Sequence, residues 1–195
     1  VYAEVAARYG LERQAEDLER AFPDAFRAVL SRWPVPYGAD DEDARRFWAE
    51  VVGATFGEAL SYEIVVELYD TFATAARWRV LPGAREALAL VRERGLPAAV
   101  VSNFDCRLAP LLRDLALGPF AQIVVSATVG AAKPDPAALI AACRACGVAP
   151  EATVHVGDSE REDGGCCRRA GVRWLPVDAA QGIPLAALAA ILDAR

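Results

Sequence analysis

Five side chains in this 195-residue chain stand where apolar runs give way to polar loops. They are Ser102 and Asn103 at the end of PAAVVSNFD, Lys133 in AAKPDP, and Asp158 and Asp163 in VGDSERED. A hydroxyl, an amide, an ammonium and two carboxylates form an inventory for holding a phosphate oxyanion together with a hard cation. The donors bind the oxygens, Lys supplies a point positive charge, and carboxylate oxygens suit Mg²⁺. Asp158 and Asp163 are followed by Gly164 and Gly165, a pattern that lets one loop bring both carboxylates toward a single metal. Ser126, which ends QIVVS, adds a further strand-end hydroxyl to the same rim.

Such groups can cooperate only if separate strand ends share one edge of a sheet. From Trp78 onward, short β-branched runs alternate with helical patterns. PAAVVS, QIVVS, TVHVG and VRWLPV read as strands, while PGAREALALVRERG, RLAPLLRDLAL, DPAALIAACRACG, EDGGCCRRAG and PLAALAAILDAR read as helices. Continuous apolar strands between amphipathic helices imply an α/β fold, a Rossmann-like parallel sheet covered by helices on both faces. Ligands bind beyond the carboxyl ends of such strands, where all five residues fall. The first part has a different texture. Residues 1–76 show three- and four-residue apolar spacing, as in Phe47, Val51, Val52 and Phe56, with little strand signal. We therefore expect a helical domain over 1–76 and an α/β domain over 77–195. Within the former, the acidic stretch GADDEDARRF has no apolar strand before it and reads as a charged helix start, with Asp40 or Asp41 as N-cap.

Composition narrows the function further. Apolar residues make up 54% of the chain, with 21 basic against 27 acidic residues and no basic block, which argues against nucleic acid or an anionic membrane as partner. No apolar run is long enough to span a bilayer. The opening VYAEVAARYG is unlike a signal peptide, and five irregularly spaced cysteines suit free thiols in a cytoplasmic setting. Methionine is absent and residue 1 is Val, so we expect the native polypeptide to begin earlier. The sequence carries no signal of oligomeric state.

The order strand–SNFD, then KPDP, then strand–GD-x4-D resembles motifs II, III and IV of the haloacid dehalogenase superfamily. The helical first part resembles its C1-type cap, as in subfamily IA. The resemblance implies that Ser102 binds the transferring phosphoryl group, Lys133 stabilises the nucleophile and the phosphoryl charge, and Asp158 and Asp163 position Mg²⁺. It places Asn103 in the same pocket. It also implies a phosphatase acting on a small phosphorylated molecule through a phosphoaspartate. The attacking Asp belongs to a first strand upstream of the cap, and no such motif occurs in this sequence, so we expect it before residue 1. That strand would lie between PAAVVS and TVHVG, which should then not pair with each other. A 2-haloacid dehalogenase-type hydrolase and a binding protein that keeps the pocket without the nucleophile are the alternatives. A phosphoacceptor receiver domain also uses carboxylates and a Lys, but carries no helical insert.

Simpler readings stand beside these. Taken singly, Lys133 is a solvated loop lysine and Asp158 a helix N-cap. His155, within an apolar strand, reads as a satisfied core residue. Cys143 and Cys146 share a helix with no matching second ligand pair, and with Cys166 and Cys167 read as small buried thiols. Trp33, Trp48, Trp78 and Trp174 read as core or interface aromatics. Arg107 either reaches substrate or faces solvent.

Overall fold

The computed structural model describes residues 1–194 and opens with four helices: α1 (Tyr2–Arg8), α2 (Ala15–Leu30), α3 (Asp41–Phe56) and α4 (Tyr62–Phe72). Their apolar stripes meet in two clusters. One draws Val5, Leu18, Val52, Ile64 and Leu68 from all four helices; the other groups Val29, Tyr37, Phe47 and Val51 between α2, α3 and the turn joining them. Phe47 and Leu68 are 0% and 1% exposed. Removing each from water stabilises the helical layer by about 1.5–3 kcal/mol.

GADDEDARRF is the charged helix start that the sequence suggested. The Asp40 side chain accepts a hydrogen bond from the Asp43 N–H at 2.9 Å and caps α3, while Asp41, Glu42 and Asp43 place negative charge against its dipole. Just before it the chain reverses through Tyr37 and Gly38, both with φ in the left-handed region, at 69° and 86°. A methyl group on Gly38 would overlap the backbone of Asp43 and Ala44. Gly38→Ala is expected to cost upward of about 2 kcal/mol, combining left-handed strain with that overlap, read as a lowered denaturation midpoint in urea.

The rest of the chain alternates: α5 (Ala84–Glu93), β1 (Ala99–Ser102), α6 (Leu108–Asp114), β2 (Gln122–Val125), α7 (Ser126–Val129), α8 (Ala137–Ala145), β3 (Val154–Gly157), α9 (Gly165–Ala170), β4 (Arg173–Pro176) and α10 (Leu185–Asp193). The strands pair in parallel, Ala99 with Gln122 through Ser102 with Val125, and Val154 with Arg173 through Gly157 with Pro176. Helix α8 covers β1 and β2 through Ala138 and Ala142 against Val101 and Val124. Helices α5 and α10 cover the other pair, with Leu90, Leu188 and Leu192 against Val156 and Leu175.

One feature departs from a continuous sheet. The strands form two two-stranded sheets, β1–β2 and β3–β4, and no ladder joins β1 to β3 among the described residues. Each of these strands has its backbone ladder on one side only. β1 and β3 therefore do not pair with each other, as the sequence reading expected. Across this division runs a side chain instead: the Lys133 ammonium donates to the Val101 carbonyl on β1 at 3.3 Å and to Asp163, beyond β3, at 2.6 Å.

Candidate active site

Lys133 lies on the loop between α7 and α8, and its side chain is 11% exposed. The solvated-lysine reading therefore fails. The loop is fixed by Asn103, just past β1, whose Oδ1 accepts from the Lys133 N–H at 2.6 Å and whose Nδ2 donates to the Lys133 carbonyl at 3.0 Å. Both faces of one side-chain amide thus clamp a single peptide position. The Asn103 amide also donates to Glu162 Oε2 at 3.2 Å, drawing in the loop after β3.

Asp163 is the buried counter-charge. It reaches its position because the chain leaves β3 through a wide helical turn, Glu160–Gly164, opened by the Ser159 hydroxyl accepting from the Glu162 N–H at 3.1 Å. The turn lays the carboxyl group against Gly157, where any Cβ would overlap it. One carboxylate oxygen meets both the Lys133 ammonium at 2.6 Å and His155 Nε2 at 2.8 Å; the other accepts from the Ser159 N–H at 3.0 Å. Burial alone raises the pKa of Asp163. The bonds from His155, Lys133 and the Ser159 N–H outweigh it and hold the carboxyl well below the usual carboxylate range. Asp163 is therefore a fixed anion at neutral pH.

Asp158, at the mouth of the β3 loop, is exposed and makes no hydrogen bond or ion pair among the described residues. The Ser102 hydroxyl, at the end of β1, likewise has no protein partner there, although its backbone pairs with Val125. These two groups are uncommitted, whereas Lys133, Asn103 and Asp163 are locked together. An ammonium has three donors, and two are used. The third is uncommitted among the described residues.

Two expectations need correction. Ser126 is not a rim group. It is fully buried, its hydroxyl accepting from the Phe104 N–H at 3.1 Å and donating to the Phe104 carbonyl at 3.2 Å, so it braces the loop after β1. Arg107 does not face solvent; it is 8% exposed and paired with fully buried Asp105. The sequence reading also missed the contacts of Glu162 and His155 with site residues. His155 is satisfied, as expected, but by Asp163. Its placement inside an otherwise apolar strand is the signal that could have flagged it. All five cysteines are free thiols, and Cys143, Cys166 and Cys167 pack with Leu139 and Val172.

As a potential cation site, this edge offers the carboxylate oxygens of Asp158 and Asp163, the ligand type that a hard divalent ion prefers. Asp158 fits as a direct ligand because nothing competes for its carboxylate. Asp163 is already engaged on both oxygens. No group of three or more His, Cys, Asp or Glu side chains gathers around one point among the described residues.

Parallel strands under helices, with a Lys–Asp pair at the carboxyl edge, define the α/β class of the haloacid dehalogenase fold. A phosphatase of that superfamily from Thermococcus onnurineus superposes with a TM-score of 0.59 at 20% identity, over 91% of this chain and 75% of that one. The family model for haloacid dehalogenase-like hydrolases matches residues 3–171, and the chain belongs to that family. It is 35% identical over 170 residues to haloacid dehalogenase-like hydrolase domain-containing protein 3 of Bos taurus, covering 83% of this chain and 67% of that protein. It is 31% identical over 159 residues to a phosphoglycolate phosphatase of Pseudomonas putida, covering 80% of this chain and 58% of that protein. Among the described residues, no helix is long and apolar enough to cross a membrane.

Proposed function

We propose that this hydrolase is a Mg²⁺-dependent phosphatase of a small phosphorylated metabolite. Residues 1–76 act as a cap over a core of 77–195. The observation that carries the reading is the lock between Asn103, Lys133 and Asp163, which holds the Lys133 ammonium in place with one donor uncommitted. A phosphoryl group seated there has its equatorial oxygens held by Ser102 and Lys133, with the Asn103 loop lining the pocket. The attacking carboxylate comes from a strand upstream of residue 1, in the place between β1 and β3. Its oxygen forms a bond to phosphorus as the bond to the leaving oxygen breaks, and a second upstream Asp gives that oxygen its proton. Water then cleaves the phosphoaspartate, passing its proton to the same second Asp. Asp158 would hold Mg²⁺ through its uncommitted carboxylate, with Asp163 beside it holding Lys133 in register. When bound, the ion supplies positive charge against the phosphoryl oxygens.

The names of relatives support this reading, since a phosphoglycolate phosphatase shares nearly a third of its aligned residues with the chain. The test uses the full-length protein with p-nitrophenyl phosphate. Hydrolysis is expected with added Mg²⁺ and should disappear with excess EDTA. Metal-independent turnover of 2-haloacids would overturn the proposal, and so would tight phosphate binding without any turnover.

A further inference from the structure

We infer that Asp105, Arg107 and Trp48 form a latch that sets the position of the Ser102–Asn103 strand end against helices α3 and α4. The inference rests on the phosphatase reading for its kinetic consequences, and on geometry alone for the latch itself.

Asp105 lies two residues past Asn103 and is 0% exposed. Its carboxylate accepts four hydrogen bonds: from the Arg107 backbone N–H at 3.0 Å, Arg107 Nε at 2.9 Å, Arg107 Nη2 at 2.6 Å and Trp48 Nε1 at 2.8 Å. The first three fold the loop onto itself. The fourth comes from α3. Arg107 then reaches the other way: its Nη1 donates to the Tyr69 carbonyl on α4 at 2.9 Å, and its guanidinium carbon sits 3.7 Å from the centre of the Tyr69 ring. Tyr69 in turn donates its hydroxyl to Asp41 at the start of α3, at 3.0 Å. Two helices of the first part and the loop that carries the site residues thus converge on one buried ion pair.

Burying an ion pair rarely stabilises more than apolar residues of the same volume would, so the asset of such a pair is direction rather than free energy. Direction is what this region needs. Trp48, Tyr69, Phe104 and Arg107 line a cavity of about 460 Å³, so apolar packing alone leaves α3, α4 and the loop after β1 loosely constrained here. The fork of Arg107 and the indole N–H of Trp48 supply fixed angles where close packing does not. The same loop is tied to Ser126 through Phe104 and to the Lys133 peptide through the Asn103 amide, so the latch, the brace and the clamp all set the backbone over 103–107.

These residues are inferred to act through the loop that carries Asn103, as positioning residues. Trp48→Phe keeps an aromatic ring but removes the indole N–H and part of the ring's volume, while Arg107→Lys keeps the charge and loses the planar fork. In Trp48→Phe, amide hydrogen exchange is expected to quicken about tenfold over residues 104–108 and in α4 as well as near residue 48, because all three regions share the latch. With p-nitrophenyl phosphate, kcat is expected to fall about tenfold with KM held within about twofold, the signature of misplaced groups rather than lost binding. Arg107→Lys should reproduce both effects. Exchange changes confined to α3 with unchanged kcat would overturn the latch and leave Trp48 a packing residue. A wild-type protein inert toward phosphate esters sinks the phosphatase reading instead, and the exchange pattern then decides the latch by itself.

Discussion

Lys133→Met should remove nearly all phosphatase activity and also destabilise the folded protein. The ammonium is held between the Val101 carbonyl and Asp163, and on the proposed reading its remaining donor meets a phosphoryl oxygen. Removing one preorganised donor from such a site lowers kcat by about 10²–10³. Methionine preserves most of the stem's volume, so the loss is one of charge and hydrogen bonding. The stability effect has a separate origin. Asp163, whose side chain is 4% exposed, would keep only His155 and the Ser159 N–H as partners. Leaving a buried anion short of its counter-charge costs about 3 kcal/mol. Lys133→Met combined with Asp163→Asn should therefore recover part of that stability without recovering activity. Steady-state kinetics and urea denaturation on the same preparations check both halves. A Lys133→Met protein with wild-type kcat would end the assignment of Lys133 to the phosphoryl charge.

Much of this arrangement was legible in the residues because strand ends announce themselves. Apolar runs stopping at Ser102 and Gly157 mark where loops begin, and the carboxyl edge of parallel strands is where such loops meet ligands. Helix caps are equally local: the neighbours narrowed the α3 cap to Asp40 or Asp41, and it is Asp40. What the pattern could not show is pairing at a distance. Lys133 meets Asp163 across 30 residues, and Trp48 meets Asp105 across 57. Nothing in local periodicity says that a Lys before a Pro is buried, or that an Arg two positions after an Asp folds back on it and reaches a helix of the other part. Ser126 misled for a related reason: a strand-end hydroxyl looks the same whether it faces a cleft or braces the adjoining loop. The division between β1 and β3 was foreseen through the family resemblance, since apolar strands of equal quality give no order within a sheet.

Asp158→Asn should show the opposite pattern to Lys133→Met, with activity lost and stability untouched. Asp158 is exposed and bonded to nothing among the described residues, so the substitution should change the free energy of unfolding by no more than about 0.5 kcal/mol. Its carboxylate is nonetheless the one group at the β3 end with both oxygens uncommitted, and a hard cation binds an anionic oxygen far better than a neutral amide. Removing it should take away most Mg²⁺-dependent hydrolysis of p-nitrophenyl phosphate. A second readout avoids reliance on turnover. Mg²⁺ at a hundred times its dissociation constant should stabilise the full-length wild-type protein by about 2.7 kcal/mol, seen as a rise in the thermal midpoint. In Asp158→Asn the same Mg²⁺ concentration should produce little of that rise, while the midpoint without metal stays where it was. Equal Mg²⁺ stabilisation in both proteins would place the cation elsewhere, and with it the metal role of the β3 loop would fall. A lower midpoint in the metal-free variant would instead mean that Asp158 supports the fold, and the clean separation from Lys133 would be lost.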